Sequence, residues 1–288
     1  PATMRRIVIT GQGCVSALGT TAVATWAAMR EGQAGIGPLT GLDDPTLRTT
    51  IAAQAQGFQA LDHFDEKRLV LLDPVSQMAL VAAREAVAQS GIRFEGELGE
   101  RTAVIIGTGI GGASTQDQMA RRLYGEKNPR VHPMAIVRVM PNAPASQISL
   151  EFGLRGPVFA VASACASSNH ALGQALMLLQ TGAADVALAG GAEACITVGT
   201  VKAWEAMRVM ASDTCRPFSK GRQGLVLGEG AGVFVLETLE HAQARGATIL
   251  AEFVGCGMSA DAADIVMPDA SGAARAMRAA LAQGGLAQ

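Results

Sequence analysis

Apolar residues along this chain fall into short runs that end in glycine and lead into helical spacing. Arg6-Ile-Val-Ile-Thr-Gly11 reads as a buried strand entering a glycine turn, as do Ala103-Val-Ile-Ile-Gly107 and Asp185-Val-Ala-Leu-Ala-Gly190. Gly232-Val-Phe-Val-Leu236 is a fourth such run, and Gly156 to Ala162 is a fifth β-like stretch. Between them, Pro74 to Ser90 carries Met78, Ala82 and Ala86 at intervals of four, and Ala166 to Thr181 is rich in Ala and Leu. Both predict helices. Ala251 to Gly255 predicts one more strand and Ser271 to Ala282 one more helix. Strands alternating with helices predict an α/β protein with a largely covered sheet. No tandem period, low-complexity tract or flexible linker breaks the chain, which reads as one continuous unit.

Composition sharpens this picture. The 288 residues are 49% hydrophobic and 17% charged, enough apolar material for a large core. With 34 glycines and only 4% aromatics, helices are expected to lie close on the sheet through small side chains. Apolar runs stop short of the ~18–20 residues that span a bilayer, and no leader pattern stands at the start, so a cytoplasmic protein without a membrane partner is expected. A net charge of −2 without blocks of like charge gives no footprint for nucleic acid. The five cysteines are widely spaced and lack any C-x-x-C, which argues against a disulfide framework or a zinc site.

Three features bear on chemistry. Gly107-Thr-Gly-Ile-Gly-Gly112 satisfies G-x-G-x-x-G after a strand. A dinucleotide site would need a second strand ending in an acidic ribose ligand about 20 residues on. That region is Arg121-Arg-Leu-Tyr-Gly-Glu126-Lys-Asn-Pro, which reads as loop, so a tight small-residue turn is the better reading. The histidines are His63, His132, His170 and His241, and none has metal-ligand spacing. His170 follows Cys165 by five residues, which on a helix turns it about 140° away and makes it a poor base for that thiol. His241, among Glu237, Glu240 and Gln243, reads as a solvated surface residue.

Cys165 stands where a β-like run passes through Ser163 into a helix. Free amides and the macrodipole at such a position favour the thiolate, the reactive form, and the same amides stabilise an oxyanion. A cysteine between alanines is also commonly a small buried hydrophobe, and spacing alone leaves both readings open.

Several ordered segments resemble one family, the elongating β-ketoacyl-acyl-carrier-protein synthases of the thiolase-like superfamily. They are Arg5 to Gly19, Ala79 to Val87, Gly107 to Gly112, Asn142 to Pro157, Ala164-Cys165-Ala-Ser-Ser, Gly190-Gly-Ala-Glu193, Arg216 to Gly224 and Gly228 to Gly232. The resemblance runs from about Met4 to beyond the segment Asp261 to Pro268, nearly the whole chain. The resemblance replaces the dinucleotide reading of Gly107 to Gly112 with the family's third-strand turn. It implies a layered αβαβα fold, with residues 4–250 forming a complete first half and 251–288 the start of a truncated second half.

The resemblance also implies the chemistry. Cys165 would take an acyl group from acyl carrier protein, and a decarboxylated malonyl-carrier thioester would then attack it, in fatty acid or polyketide synthesis. Ile110 and Trp204 would lie near the acyl-chain pocket. Trp204 stands where the family commonly has Phe, so a bulkier wall would shorten the accepted chain; the alternative is that both side chains are core filler. No cofactor is implied for this chain, since its substrates ride on the phosphopantetheine of acyl carrier protein. A homodimer is implied through Val158 to Ala162.

The match departs at Ser219 and Gln223, where the family usually has aspartates. The family's C-terminal His-Gly-Thr and Gly-His motifs, its nearby lysine and its glycine-rich oxyanion loop do not occur in this chain. Taken literally, the chain is expected to capture an acyl group and not to condense it. A chain-length-factor-like partner subunit is the alternative from another class, but such subunits commonly lack the cysteine. Another thiolase-like acyltransferase is the third reading, against which the Arg216-Pro-Phe and Gly228-Glu-Gly segments stand.

Overall fold

A computed structural model describes residues 4–286. In chain order the elements are β1 (Ile7–Val15), α1 (Ala22–Arg30), β2 (Gly37–Pro38), β3 (Ile51–Ala52), α2 (Glu66–Leu69), α3 (Pro74–Ser90) and β4 (Thr102–Gly107). There follow α4 (Ala113–Ala120), α5 (Ala135–Val139), α6 (Ala143–Phe152), β5 (Val158–Val161), α7 (Ser167–Gln180) and β6 (Val186–Glu193). The last are α8 (Val198–Ala206), β7 (Gly230–Thr238), α9 (Leu239–Ala244), β8 (Ala251–Glu252) and α10 (Ala270–Gln283).

Six strands form one mixed sheet in the order β5-β4-β6-β7-β1-β8. Strand β4 runs parallel to β5 and β6, whereas β7 is antiparallel to both β6 and β1. The two-residue periodicity of the strands divides the core. On β4, Val104 and Ile106 join the cluster under α3 and α6, while Ala103 and Ile105 join the cluster under α7. A strand buried on both faces needs apolar residues at every position, which is why these runs are continuous. Helix α3 has Asp73 as N-cap, accepting from the Val75 amide at 3.1 Å, Pro74 in its first turn, and Gly91 in the left-handed conformation at its end (φ 64°).

Close packing through glycine is found where it was expected. A Cβ at Gly13 of β1 would sit 1.8 Å from the Ala82 carbonyl oxygen of α3, so that helix rests on bare backbone. The strand expected over Ala251 to Gly255 is paired only at Ala251 and Glu252. Gly255 and Gly257 instead lie against α10, where a Cβ would fall 2.5 Å from the Ala280 oxygen and 1.9 Å from the Ala276 oxygen. The loop expected from Arg121 is also corrected: Arg121–Gly125 extends α4 as a turn of π-helix, closed by Glu126 N–H donating to the Arg121 carbonyl at 3.0 Å.

His241 is not simply solvated. Its Nδ1 lies 2.6 Å from Glu237 Oε2, and the fully buried Glu237 also accepts from Arg245 Nε at 2.9 Å and from the Thr10 hydroxyl. Spacing placed Glu237 on a helix face with His241, whereas Glu237 lies on β7 and its side chain is buried beneath α9. Among the described residues no helix is long and apolar enough to cross a membrane.

Candidate active site

Because β5, β4 and β6 are parallel, their carboxyl ends meet at one edge of the sheet, with Gly107 paired to Val161 on one side and Gly191 on the other. In open α/β sheets this is where ligands bind. The chain leaves β5 through a sharp turn and enters α7, and Cys165 sits at that turn, exposed. Ala164 holds a left-handed φ of 51°, a conformation that costs an L-residue roughly 1–2 kcal/mol.

Local hydrogen bonds hold the turn. Ser167 Oγ donates to the Ala164 carbonyl at 2.6 Å and accepts from the Ser163 amide at 2.9 Å. Ser163 Oγ lies 2.7 Å from His170 Nδ1. Gly107 makes room for the helix: a Cβ there would fall 2.3 Å from the Ser167 carbonyl atoms. The backbone of β4 therefore sets how closely the first turn of α7, and with it Cys165, approaches the sheet.

A cleft of about 720 Å³ opens at this edge, and Cys165 lines it together with Ile110, Leu172, Trp204, Leu227 and Phe234. The three residues singled out in the sequence, Cys165, Ile110 and Trp204, thus lie on one cavity. Trp204, on α8, packs against a small cluster that includes Ile196, Val201 and Leu227, and Ile110 is 43% exposed on the loop after β4. None of the four histidines lines the cleft.

Glu193, for which the sequence suggested no role of its own, organises the site. At the end of β6 its carboxylate accepts from Thr108 Oγ1 at 3.1 Å, from the Gly109 amide at 2.6 Å and from the Ile110 amide at 3.4 Å. It therefore clamps the loop that carries Ile110. An acidic residue ending an otherwise apolar strand was the signal available in the sequence.

The thiols differ in environment. Cys195 also lines the cleft, but burial, and then the neighbouring Glu193 charge, push its pKa up to about 11. Burial likewise raises the thiols of Cys14 and Cys256. Only Cys165 and Cys215 are exposed, and Cys215 does not line the cleft. The cleft thus presents one exposed thiol on a largely apolar wall.

The family model for the β-ketoacyl synthase N-terminal domain matches residues 4–242. The chain belongs to the β-ketoacyl synthase family. It is 49% identical over 282 residues to nodulation protein E of Rhizobium sp. (strain N33), covering 98% of this chain and 70% of that protein. It is 37% identical over 289 residues to 3-oxoacyl-[acyl-carrier-protein] synthase 2 of Staphylococcus aureus (strain N315), covering 98% and 70%. Among solved structures, the ishigamide ketosynthase/chain length factor superposes with a TM-score of 0.93 at 33% identity, over 99% of this chain and 71% of that one. A type II polyketide synthase acyl carrier protein in complex with its hexaketide-bound ketosynthase gives a TM-score of 0.86 at 27% identity, over 99% and 71%. The fold is thus the thiolase-like ketosynthase fold, and the G-x-G-x-x-G segment is a turn of that fold.

Proposed function

We propose that this chain carries the acyl-capturing half of a β-ketoacyl-acyl-carrier-protein synthase, with Cys165 as nucleophile. The observation that supports it is the exposed Cys165 at the strained β5–α7 turn, opening onto an apolar cleft of about 720 Å³. The Cys165 thiolate attacks the carbonyl of an acyl thioester held on the phosphopantetheine arm of acyl carrier protein. The C–S bond to the arm breaks, and the arm leaves as a thiol after taking a proton. The first-turn amides of α7 are suited to stabilise the oxyanion formed on the way. The acyl chain lies along Ile110 and Trp204.

In the second step a malonyl thioester loses carbon dioxide, its C2 carbanion attacks the acyl-enzyme carbonyl, and Cys165 leaves as thiolate. That step draws on a histidine pair and a lysine that the family resemblance places in its C-terminal half. No histidine of this chain lines the cleft, so the capture step is the one assigned to these residues. The boundary of the first half is taken at residue 250.

Acyl carrier protein is the proposed partner, in keeping with the carrier–ketosynthase complex among the structural neighbours. A homodimer is proposed through β5, whose outer edge pairs with no strand among the described residues.

Intact-mass measurement after incubation with acyl-acyl carrier protein tests the capture step. The expected result is one acyl adduct, absent in Cys165→Ala. An adduct that survives in Cys165→Ala would overturn the assignment.

A further inference from the structure

A second cavity, small and remote in composition from the catalytic cleft, lies between α4 and the segment leading into α5. Every charged or titratable group lining it is cationic or a histidine: Arg122, Arg130, His132 and Arg138, with Gln118 as a further polar neighbour and no carboxylate. Its volume is about 40 Å³, where a single water needs about 10–15 Å³. It holds a few waters or one tetrahedral oxyanion and is too small for an acyl chain or a nucleoside.

Three observations converge on an anion. First, Arg122, Arg130 and Arg138 form no ion pair among the described residues, although most of the other arginines do, among them Arg121 with Asp117 and Arg84 with Glu151. Three guanidiniums without a salt bridge line one cavity, and of them Arg138 reaches only the Val70 carbonyl, at 3.5 Å, so a negative charge between them is favoured. Second, Arg138 Nε is buried without a hydrogen-bond partner, a donor that costs free energy until an acceptor reaches it. The Asp73 charge bears on Arg138, but its carboxylate is occupied by the Val75 amide and by the Thr115 amide and hydroxyl and makes no salt bridge to the guanidinium. Third, the Met134 amide donates to His132 Nδ1 at 3.1 Å, which leaves Nε2 to carry the ring proton as a further donor. Arg122 itself lies on the π-helical turn, a departure from regular helix that recurs at functional sites.

We propose that this cavity is a binding site for a single phosphate-class oxyanion, held by Arg122, Arg130, Arg138 and His132. Arg138 supplies the buried donor, and Arg122 and Arg130 supply the charge from the rim. The site is distinct from the cleft of Cys165, since the two share no lining residue. The chemistry fits either a free phosphate or the phosphoryl end of a larger molecule.

Calorimetric titration of the full chain with inorganic phosphate, at ionic strength matched with chloride, tests this. Saturable binding at one site is expected, weakened at least tenfold in Arg138→Gln and in the rim variant Arg130→Gln, whose side chain bears less on folding. Arg278→Gln, outside the cavity, is expected to bind as the unaltered chain does. Equal affinity for methyl phosphate would assign the site to a phosphoryl terminus, and preference for inorganic phosphate would assign it to the free ion. Absence of saturable binding, or equal weakening by Arg278→Gln, overturns the proposal.

Discussion

Ser163 Oγ and His170 Nδ1 lie 2.7 Å apart, bridging the last residue before the strained turn to the first turn of α7. With Cys165 between them in sequence, the histidine braces the nucleophile's turn without lining its cleft. Replacing it by alanine removes one hydrogen bond, worth about 1 kcal/mol. His170→Ala is expected to lower Tm by about 2–4 °C while iodoacetamide still labels Cys165 within a few-fold of the normal rate. A hundredfold loss of labelling would instead make His170 the base.

Gly107 sets the distance between β4 and α7. Gly107→Ala places a methyl group 2.3 Å from the Ser167 carbonyl atoms, so the helix start must move. Overpacking of this kind costs about 1–3 kcal/mol, and here it also displaces Cys165. Urea unfolding is expected to show that loss together with a slower acylation of Cys165. A stable variant with unchanged acylation would show that the approach of α7 is not limiting.

Trp204 forms part of the cleft wall. Trp204→Phe is expected to extend the range of acyl lengths captured on Cys165, because the smaller ring enlarges the cavity on that side. Adduct masses measured over a series of acyl-acyl carrier proteins read this directly. An identical length profile would reduce Trp204 to core packing.

Glu237 gives the fold a pH signature. Burial pushes its carboxyl pKa up, but hydrogen bonds from Arg245, His241 and Thr10 and the Arg245 charge outweigh burial and bring the pKa to about 2. A depressed carboxylate pKa contributes stability that is fully present above the ordinary value of 4.5 and is lost as pH falls toward 2. Glu237→Gln is expected to flatten the pH dependence of stability in that window. Arg245→Ala, which removes the guanidinium and leaves the buried carboxylate only His241 and Thr10, is expected to cost up to about 3–5 kcal/mol at neutral pH. Denaturant titrations from pH 2 to 7 check both.

The buried elements were the legible ones. Pro74–Ser90 is legible from the spacing of Met78, Ala82 and Ala86, and the helix runs between the same two residues in the structure, with Asp73 and Gly91 as its caps. Cys165 was recognisable as a turn thiol, and its meeting with Ile110 and Trp204 followed from family resemblance, since no local pattern connects residues so far apart. The hidden parts are those decided by tertiary partners. His241 looked solvated because its own helix is polar, and its acceptor arrives from β7. The apolar run suggests a strand ending at Gly190, whereas β6 continues to Glu193, and only the fold shows that the Glu193 carboxylate holds the amides of Gly109 and Ile110.

The place of β1 in the sheet has a consequence for biosynthesis. It lies between β7 and β8, which come more than 200 residues later in the chain, so β1 finds its neighbours only after most of the described chain has left the ribosome. At ~5–20 residues per second that is a wait on the order of ten seconds or more. Once α3 has been made, the apolar strand Ile7–Val15 has that helix to rest on but still no strand to pair with, and chaperone occupancy during translation should concentrate there.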